Sequence, residues 1–234
     1  MSKKLKMIIG LIVGFVVLCA ACFSVYYYAI FLPGQKDAYI KLRPNNEYYN
    51  NKLIAYEEEN PTLNDVDVAF IGDSLTDGYD LSLFYPQYNT INRGIAGDTT
   101  FGVEYRLKVS LYDINPKVVV MLIGGNNYKT MFQNYESILQ KLQTNMPNSH
   151  VVLLSLTALG GDFSGLNNTF KQNNAVIQSL AQKYSFEYID IFTPLYNNET
   201  GGIYDEYTTD SVHLTTQGYQ VLTNAITPVL AELI

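Results

Sequence analysis

The sequence predicts an α/β fold in which a parallel sheet carries helices on both faces. Two observations point to it. From Val66 onward, short unbroken apolar runs of strand length recur along the chain, and stretches with helical spacing alternate with them. A third observation, the length of 234 residues, sets the scale: one ordinary domain plus a tail.

In chain order, the first feature is an uncharged apolar run from Met7 to Leu32, preceded by Lys3, Lys4 and Lys6. It exceeds the ~20 residues that cross a bilayer as helix, and the lysines place residues 1–6 on the cytoplasmic side. The expectation is a transmembrane anchor with the rest of the chain outside, Tyr26, Tyr27 and Tyr28 forming an interfacial belt. A signal peptide cleaved near Cys19-Ala20-Ala21 is the alternative, and its apolar region would normally be only ~7 to 15 residues long. Both cysteines, Cys19 and Cys22, lie in this run, so the remainder contains no thiol for a disulfide. Residues 33–61 read as a stalk with a docking helix over Glu47 to Glu59, stopped by Pro61.

The strands are then expected at Val66 to Ile71, Lys117 to Ile123, His150 to Leu154 and Phe186 to Ile191, with a weaker one at Tyr88 to Asn92. Helices are expected over Thr99 to Leu111, Tyr128 to Asn145, Asn168 to Tyr184 and Gln217 to Leu233. The last is capped by Thr215 or Thr216, and Pro228 is a candidate kink. The folded domain is taken as 62–234.

Composition excludes some functions. The chain is 47% hydrophobic and 16% charged, as expected of a packed domain with one added apolar segment. Its formal charge is −7, and setting aside the three N-terminal lysines leaves 12 basic against 22 acidic residues. That balance repels polyanions, so no nucleic acid partner is expected.

Parallel sheets bind ligands at the carboxyl ends of their strands, and the chemistry-bearing residues cluster there. Phe70-Ile71-Gly72-Asp73-Ser74-Leu75 puts a serine on a strand-to-loop turn, where Oγ is exposed. Of the two histidines, His150 opens a strand and reads as structural. His213 follows Asp210 by three residues, a spacing that lets the carboxylate orient the imidazole while Nε2 faces Ser74. Ile123-Gly124-Gly125-Asn126-Asn127 offers the Asn126 amide to a developing oxyanion, and Ala96-Gly97-Asp98-Thr99 offers the Gly97 N–H. No calcium loop is formed at Asp73 to Gly78, because Leu75 and Phe84 stand where ligands are needed.

Taken together over Val66 to Ile234, these elements resemble the SGNH branch of the GDSL hydrolases. The resemblance implies a flavodoxin-like, three-layer, doubly wound sheet of about five parallel strands in the order 2-1-3-4-5. It implies Ser74 as nucleophile, His213 as base, Asp210 as orienting residue, and an oxyanion hole from Ser74, Gly97 and Asn126. No cofactor or metal is called for. Asn127 departs from the family pattern, which usually has Asp there, and this puts a loop hydrogen bond in question.

The expected function is an extracytoplasmic esterase acting on a small acyl ester or an acetylated glycan. An O-acyltransferase, a lysophospholipase and an inactive binding module are the alternatives. The loop Ala158 to Leu166 reads as a specificity or mobile element. The connections Thr157 to Leu166 and Phe192 to Thr209 are polar, with Tyr196, Tyr204 and Tyr207 as their main rings. They favour acetyl and butyryl groups over octanoyl.

Overall fold

The computed structural model describes residues 2–26 and 47–234; within the first stretch, side chains are described at 2, 4, 5 and 13–25. Two units result, Met1–Asn46 and Glu47–Ile234. In the first, helix α1 runs Lys3–Tyr26. Among the described residues no helix is long and apolar enough to cross a membrane. The expected span over 7–32 is therefore not supported by them, and its last part, with the stalk residues 33–46, lies outside the described residues.

The second unit begins with α2, Glu47–Glu59. The helix expected to dock on the domain lies in the same compact unit as the sheet, Glu47–Ile234. Pro61 follows in a short 3₁₀ turn, Asn60–Thr62, where its missing N–H leaves no helical bond unmade.

Five parallel strands form the sheet: β1 Val68–Gly72, β2 Thr90–Gly94, β3 Val118–Leu122, β4 His150–Leu154 and β5 Glu187–Ile189, in the order β2-β1-β3-β4-β5. β1 and β3 are buried along their whole length, which explains their unbroken apolar runs. Each large side chain buried there contributes roughly 1.5–3 kcal/mol. β2 is the exception. It starts two residues later than expected, and its Asn92 and Arg93 are polar because both meet tertiary partners. Asn92 Nδ2 donates to the carbonyls of Thr76 (2.7 Å) and Tyr79 (3.1 Å). Arg93 donates to Glu59 (2.6 Å) and Asn60 (2.7 Å) and lies 4.4 Å from the centre of the Tyr56 ring.

Helices follow the strands. α3 is Ser74–Asp77 and α4 is Leu81–Phe84. α5 is Thr100–Leu107 and continues into a π turn to Tyr112. α6 is Tyr135–Asn145, α7 is Asn167–Tyr184, α8 is Phe192–Leu195 and α9 is Thr216–Leu233. A small antiparallel pair, β6 Tyr196–Asn197 and β7 Gly202–Ile203, lies between α8 and α9. The sixth helix starts seven residues later than its apolar pattern suggested. Tyr128 to Asn134 is spent on short turns that bury Met131 and let the Tyr128 carbonyl accept from Asn173 (2.9 Å). Thr215 caps α9 by accepting from the Gly218 N–H (3.1 Å), and α9 continues through Pro228.

Candidate active site

The carboxyl edge brings the predicted site residues together. Ser74 opens α3 directly after β1, and Asp73 caps it, its Oδ1 accepting the Leu75 N–H at 3.1 Å. The approach of α3 to the sheet leaves no room for a side chain below it. A Cβ on Gly72 would sit 2.2 Å from the Leu122 carbonyl, and one on Gly94 would sit 2.1 Å from the Asp77 nitrogen. Glycine at both strand ends is what lets the serine turn sit so low.

His213 reaches this turn from the loop before α9. Its Nε2 lies 3.0 Å from Ser74 Oγ, and its Nδ1 lies 2.7 Å from Asp210 Oδ2. Asp210 uses its other oxygen to accept the backbone N–H groups of Val212 (3.0 Å) and His213 (2.7 Å). Those bonds need a tight turn, and Ser211 adopts φ +76° to make it. Bonding from the His213 ring, then from its amide, holds the Asp210 carboxyl down at about 2, so it is ionised at neutral pH. The Tyr219 hydroxyl donates to the Leu75 carbonyl (2.9 Å), and its ring stacks on Tyr79 at 4.6 Å, which ties α9 to the serine turn.

Three candidate donors stand at the same strand edge: the Ser74 N–H, the Gly97 N–H, and the Asn126 amide, which lines a cavity with Ser74 and bonds the Gly97 loop. Among the described residues, neither the Ser74 nor the Gly97 N–H donates to a protein acceptor. Gly97 has φ +75°, with nothing within 4 Å of a built Cβ. Asn126 Nδ2 donates one of its two protons to the Asp98 carbonyl (2.8 Å), which orients the amide and leaves the second proton for a ligand. Behind them, the buried Arg106 donates to Asp98 Oδ2 (2.8 Å) and to the carbonyls of Gly72 (2.9 Å) and Arg93 (2.8 Å). One side chain thus joins the ends of β1 and β2 to the Gly97 loop.

The loop bond put in question by Asn127 is made. Asn127 Oδ1 accepts the Thr100 N–H (3.3 Å), and its Nδ2 donates to Thr100 Oγ1 (2.9 Å). Thr100 then donates onward to Asn134 Oδ1 (2.6 Å), whose Nδ2 donates to Glu104 (3.0 Å). The amide suits this chain because it can donate where a carboxylate could only accept. His150 stands at the opposite, amino-terminal edge of the sheet with its side chain exposed, taking no part.

Beside Ser74 and Asn126 lies a cavity of about 260 Å³. Its apolar lining comes mainly from Leu75, Leu159, Phe163, Leu166, Phe170 and Val212. The stretch Thr157 to Leu166, expected to be a polar surround, has only Thr157, Asp162 and Ser164 as polar side chains and presents Leu159, Phe163 and Leu166 to the site. Tyr196, Tyr204 and Tyr207 are not in this lining; Tyr196 stacks on Phe192 at 5.1 Å, and Tyr204 meets Tyr207 edge-on.

Asp73 was not singled out from sequence beyond the calcium question, although an Asp before a short helix signals a cap. Burial, helped by the Asp98 carboxylate, pushes its carboxyl up to about 7 against the cap bond from Leu75 and the nearby His213. A raised acid stabilises the fold fully below its unfolded value near ~3.9, and that stability is lost as pH rises through about 7. Asp73→Asn keeps the Oδ1 acceptor and does not titrate. Its melting temperature relative to the wild type is expected to climb from pH ~4 to about 7 and to level off above that, and parallel curves would refute the assignment.

A strand-end serine paired with an Asp-oriented histidine, on a sheet of this order, defines a serine hydrolase of α/β type. More narrowly, the chain belongs to the GDSL-like Lipase/Acylhydrolase family, whose profile matches residues 70–221. It is similar to platelet-activating factor acetylhydrolase IB subunit alpha2 of Rattus norvegicus, at 31% identity over 72% of this chain and 77% of the relative. A solved structure from Streptococcus pneumonia, described as a candidate platelet activating factor, matches with TM-score 0.73 at 25% identity, covering 83% of this chain and 99% of that one. A catalytic mutant of an acetylxylan esterase from Geobacillus stearothermophilus matches with TM-score 0.58 at 18% identity, over 72% and 95% of the two chains, and shares the fold. The chain is a carboxylic ester hydrolase.

Proposed function

We propose that the chain hydrolyses short-chain acyl esters, from acetyl to about hexanoyl, through an acyl-enzyme on Ser74. The observation that carries this reading is the unbroken relay from Asp210 through His213 to Ser74 Oγ, with contacts of 2.7 and 3.0 Å. Ser74 Oγ attacks the ester carbonyl while His213 Nε2 takes its proton. The oxyanion is received by the Ser74 and Gly97 N–H groups and the Asn126 amide. His213 then protonates the departing alcohol, and the same relay activates a water that releases the acid.

Acyl size is argued from the cavity. A cavity of ~150 Å³ accepts benzene, so about 260 Å³ accommodates a short chain and ends before a long one. Each buried CH₂ contributes ~0.8 kcal/mol, or roughly fourfold in kcat/KM. The acetyl esters named for the rat relative and the Geobacillus esterase support the short end of this range.

A p-nitrophenyl ester series with one leaving group tests the reading. We expect kcat/KM to rise from acetate to a maximum at butyrate or hexanoate and to fall by decanoate. A rise through decanoate would point to long-chain or lysophospholipid substrates, and absence of turnover across the series would remove the esterase reading. We also propose that the domain works outside a membrane to which residues 7–32 anchor it. What supports this is the uncharged run of 26 residues behind three lysines. Full-length protein that fractionates with membranes and loses its domain to external protease is the expected result; a soluble full-length form would refute it.

A further inference from the structure

The helix α2 lies outside the span matched by the family profile, yet it clasps the segment that carries Gly97. The Tyr56 hydroxyl donates to the Gly94 carbonyl (2.7 Å), and the Tyr49 hydroxyl donates to the Gly102 carbonyl (3.2 Å). Between these bonds, Ile95 is buried against Tyr49 and Tyr56, with Leu53 and Val109 packed alongside. The contact next to Gly97 is ionic. Asp77, three residues after Ser74 on α3, accepts the Ala96 N–H at 3.0 Å. The same oxygen accepts the Tyr48 hydroxyl, and the other accepts Lys52 Nζ at 2.7 Å. The Lys52 ammonium sits 5.8 Å and 5.7 Å from the Tyr48 and Tyr56 ring centres.

Gly97 is the third residue of a tight turn that the Asp98 N–H closes on the Ile95 carbonyl (3.0 Å). With φ +75° and empty space where a Cβ would be, its own packing does not aim its amide. The turn sets the Ala96–Gly97 peptide, and its seat on the strand edge is fixed from both sides: Asp98 is held by Arg106, and the Ala96 N–H by Asp77. Asp77 in turn needs a fixed carboxylate plane, and two donors from α2 supply it. The bond to Asp77 holds the Tyr48 hydroxyl up at about 12, so it remains a donor across the working pH range.

We propose that Tyr48 and Lys52 are positioning residues for catalysis, acting through Asp77 to hold the Ala96–Gly97 peptide so that the Gly97 N–H faces the oxyanion. On this reading α2 completes the site rather than merely linking it to the preceding chain. The proposal rests on the oxyanion role given to Gly97 above. Misplacement by about 1 Å from outside the reacting atoms lowers rate by up to ~10²-fold. Because such a donor acts mainly in the transition state, the loss belongs in kcat.

The test uses the full chain with p-nitrophenyl butyrate and compares Tyr48→Phe, Lys52→Met and their combination with the wild type. The combined variant is expected to lose ~10- to 100-fold in kcat with KM within about twofold, and Lys52→Arg is expected to restore most of the loss seen in Lys52→Met. Lys117→Met serves as control, because it breaks an ion pair of the same 2.7 Å length, to Asp67, at the opposite edge of the sheet. It is expected to leave kcat unchanged. Unchanged kcat in the combined variant, a loss confined to KM, or an equal loss in the control would overturn the proposal. If the combined variant does not fold, the single variants and the arginine rescue carry the same comparison. Wild-type turnover that survives Ser74→Ala would instead strike at the catalytic reading itself, so the two failures are distinguishable.

Discussion

Ser74→Ala is expected to lower ester turnover by at least ~10⁴-fold, with the melting temperature almost unchanged. The size of the loss follows from the geometry: His213 Nε2 has Ser74 Oγ at 3.0 Å, and removal of that oxygen leaves the relay nothing to activate. The donors around Gly97 and Asn126 remain, so a small residual rate over water is expected. The small effect on stability follows from position. Asp73, not Ser74, caps α3, and Ser74 is only partly buried. One hydrogen bond to a half-exposed imidazole contributes ~1 kcal/mol or less. Steady-state rates and thermal unfolding of the two proteins check both halves. A fall in melting temperature large enough to explain the lost activity would mean that the serine is structural.

Asn126→Ala is expected to lower kcat by ~10²- to 10³-fold with little change in KM. Its amide is held by the Asp98 carbonyl at 2.8 Å with a second N–H unspent, so a donor is in place before the oxyanion forms. Such a donor does little for a neutral carbonyl and much for the charge that develops on it. The loss therefore falls on the transition state. An increase confined to KM would make Asn126 a substrate-binding residue and leave the oxyanion to the two backbone amides.

How much of this was legible in the sequence depends on where each signal lies along the chain. β1 and β3 were readable because strands buried on both faces are apolar at every position, β4 because it is so from Val151 on, and Glu47–Glu59 from its stop at Pro61. β2 was blurred because Asn92 and Arg93 direct their polarity at α2 and α3, contacts no local pattern encodes. The sixth helix was drawn too early because Met131 is apolar for the sake of its buried place beside Gly124, not for a helix face.

The site divides in the same way. Ser74, Gly97, Asn126, Asp210 and His213 stand in short motifs at strand and helix ends, so each could be named from sequence, and the structure brings them to one edge. The apolar cavity could not be, since Leu75, Phe163, Phe170 and Val212 are far apart in the chain and meet only in the fold. Arg106 and Asp77 carried no local signal either. Each is a lone charge whose meaning lies in Asp98 or Ala96 across the structure. Asn127 shows the reverse case: a departure visible in sequence whose consequence depended on a partner, Thr100, that sequence could not name.

The most direct test of the central claim is covalent. A fluorophosphonate phosphonylates an activated serine, whose oxygen displaces fluoride from phosphorus, and spares ordinary serines, so peptide mapping after exposure of the wild-type protein reads the nucleophile itself. The account predicts one adduct, on Ser74, formed with loss of activity and abolished by Ser74→Ala and by His213→Ala. An adduct on another residue, or inactivation that persists in Ser74→Ala, would contradict it.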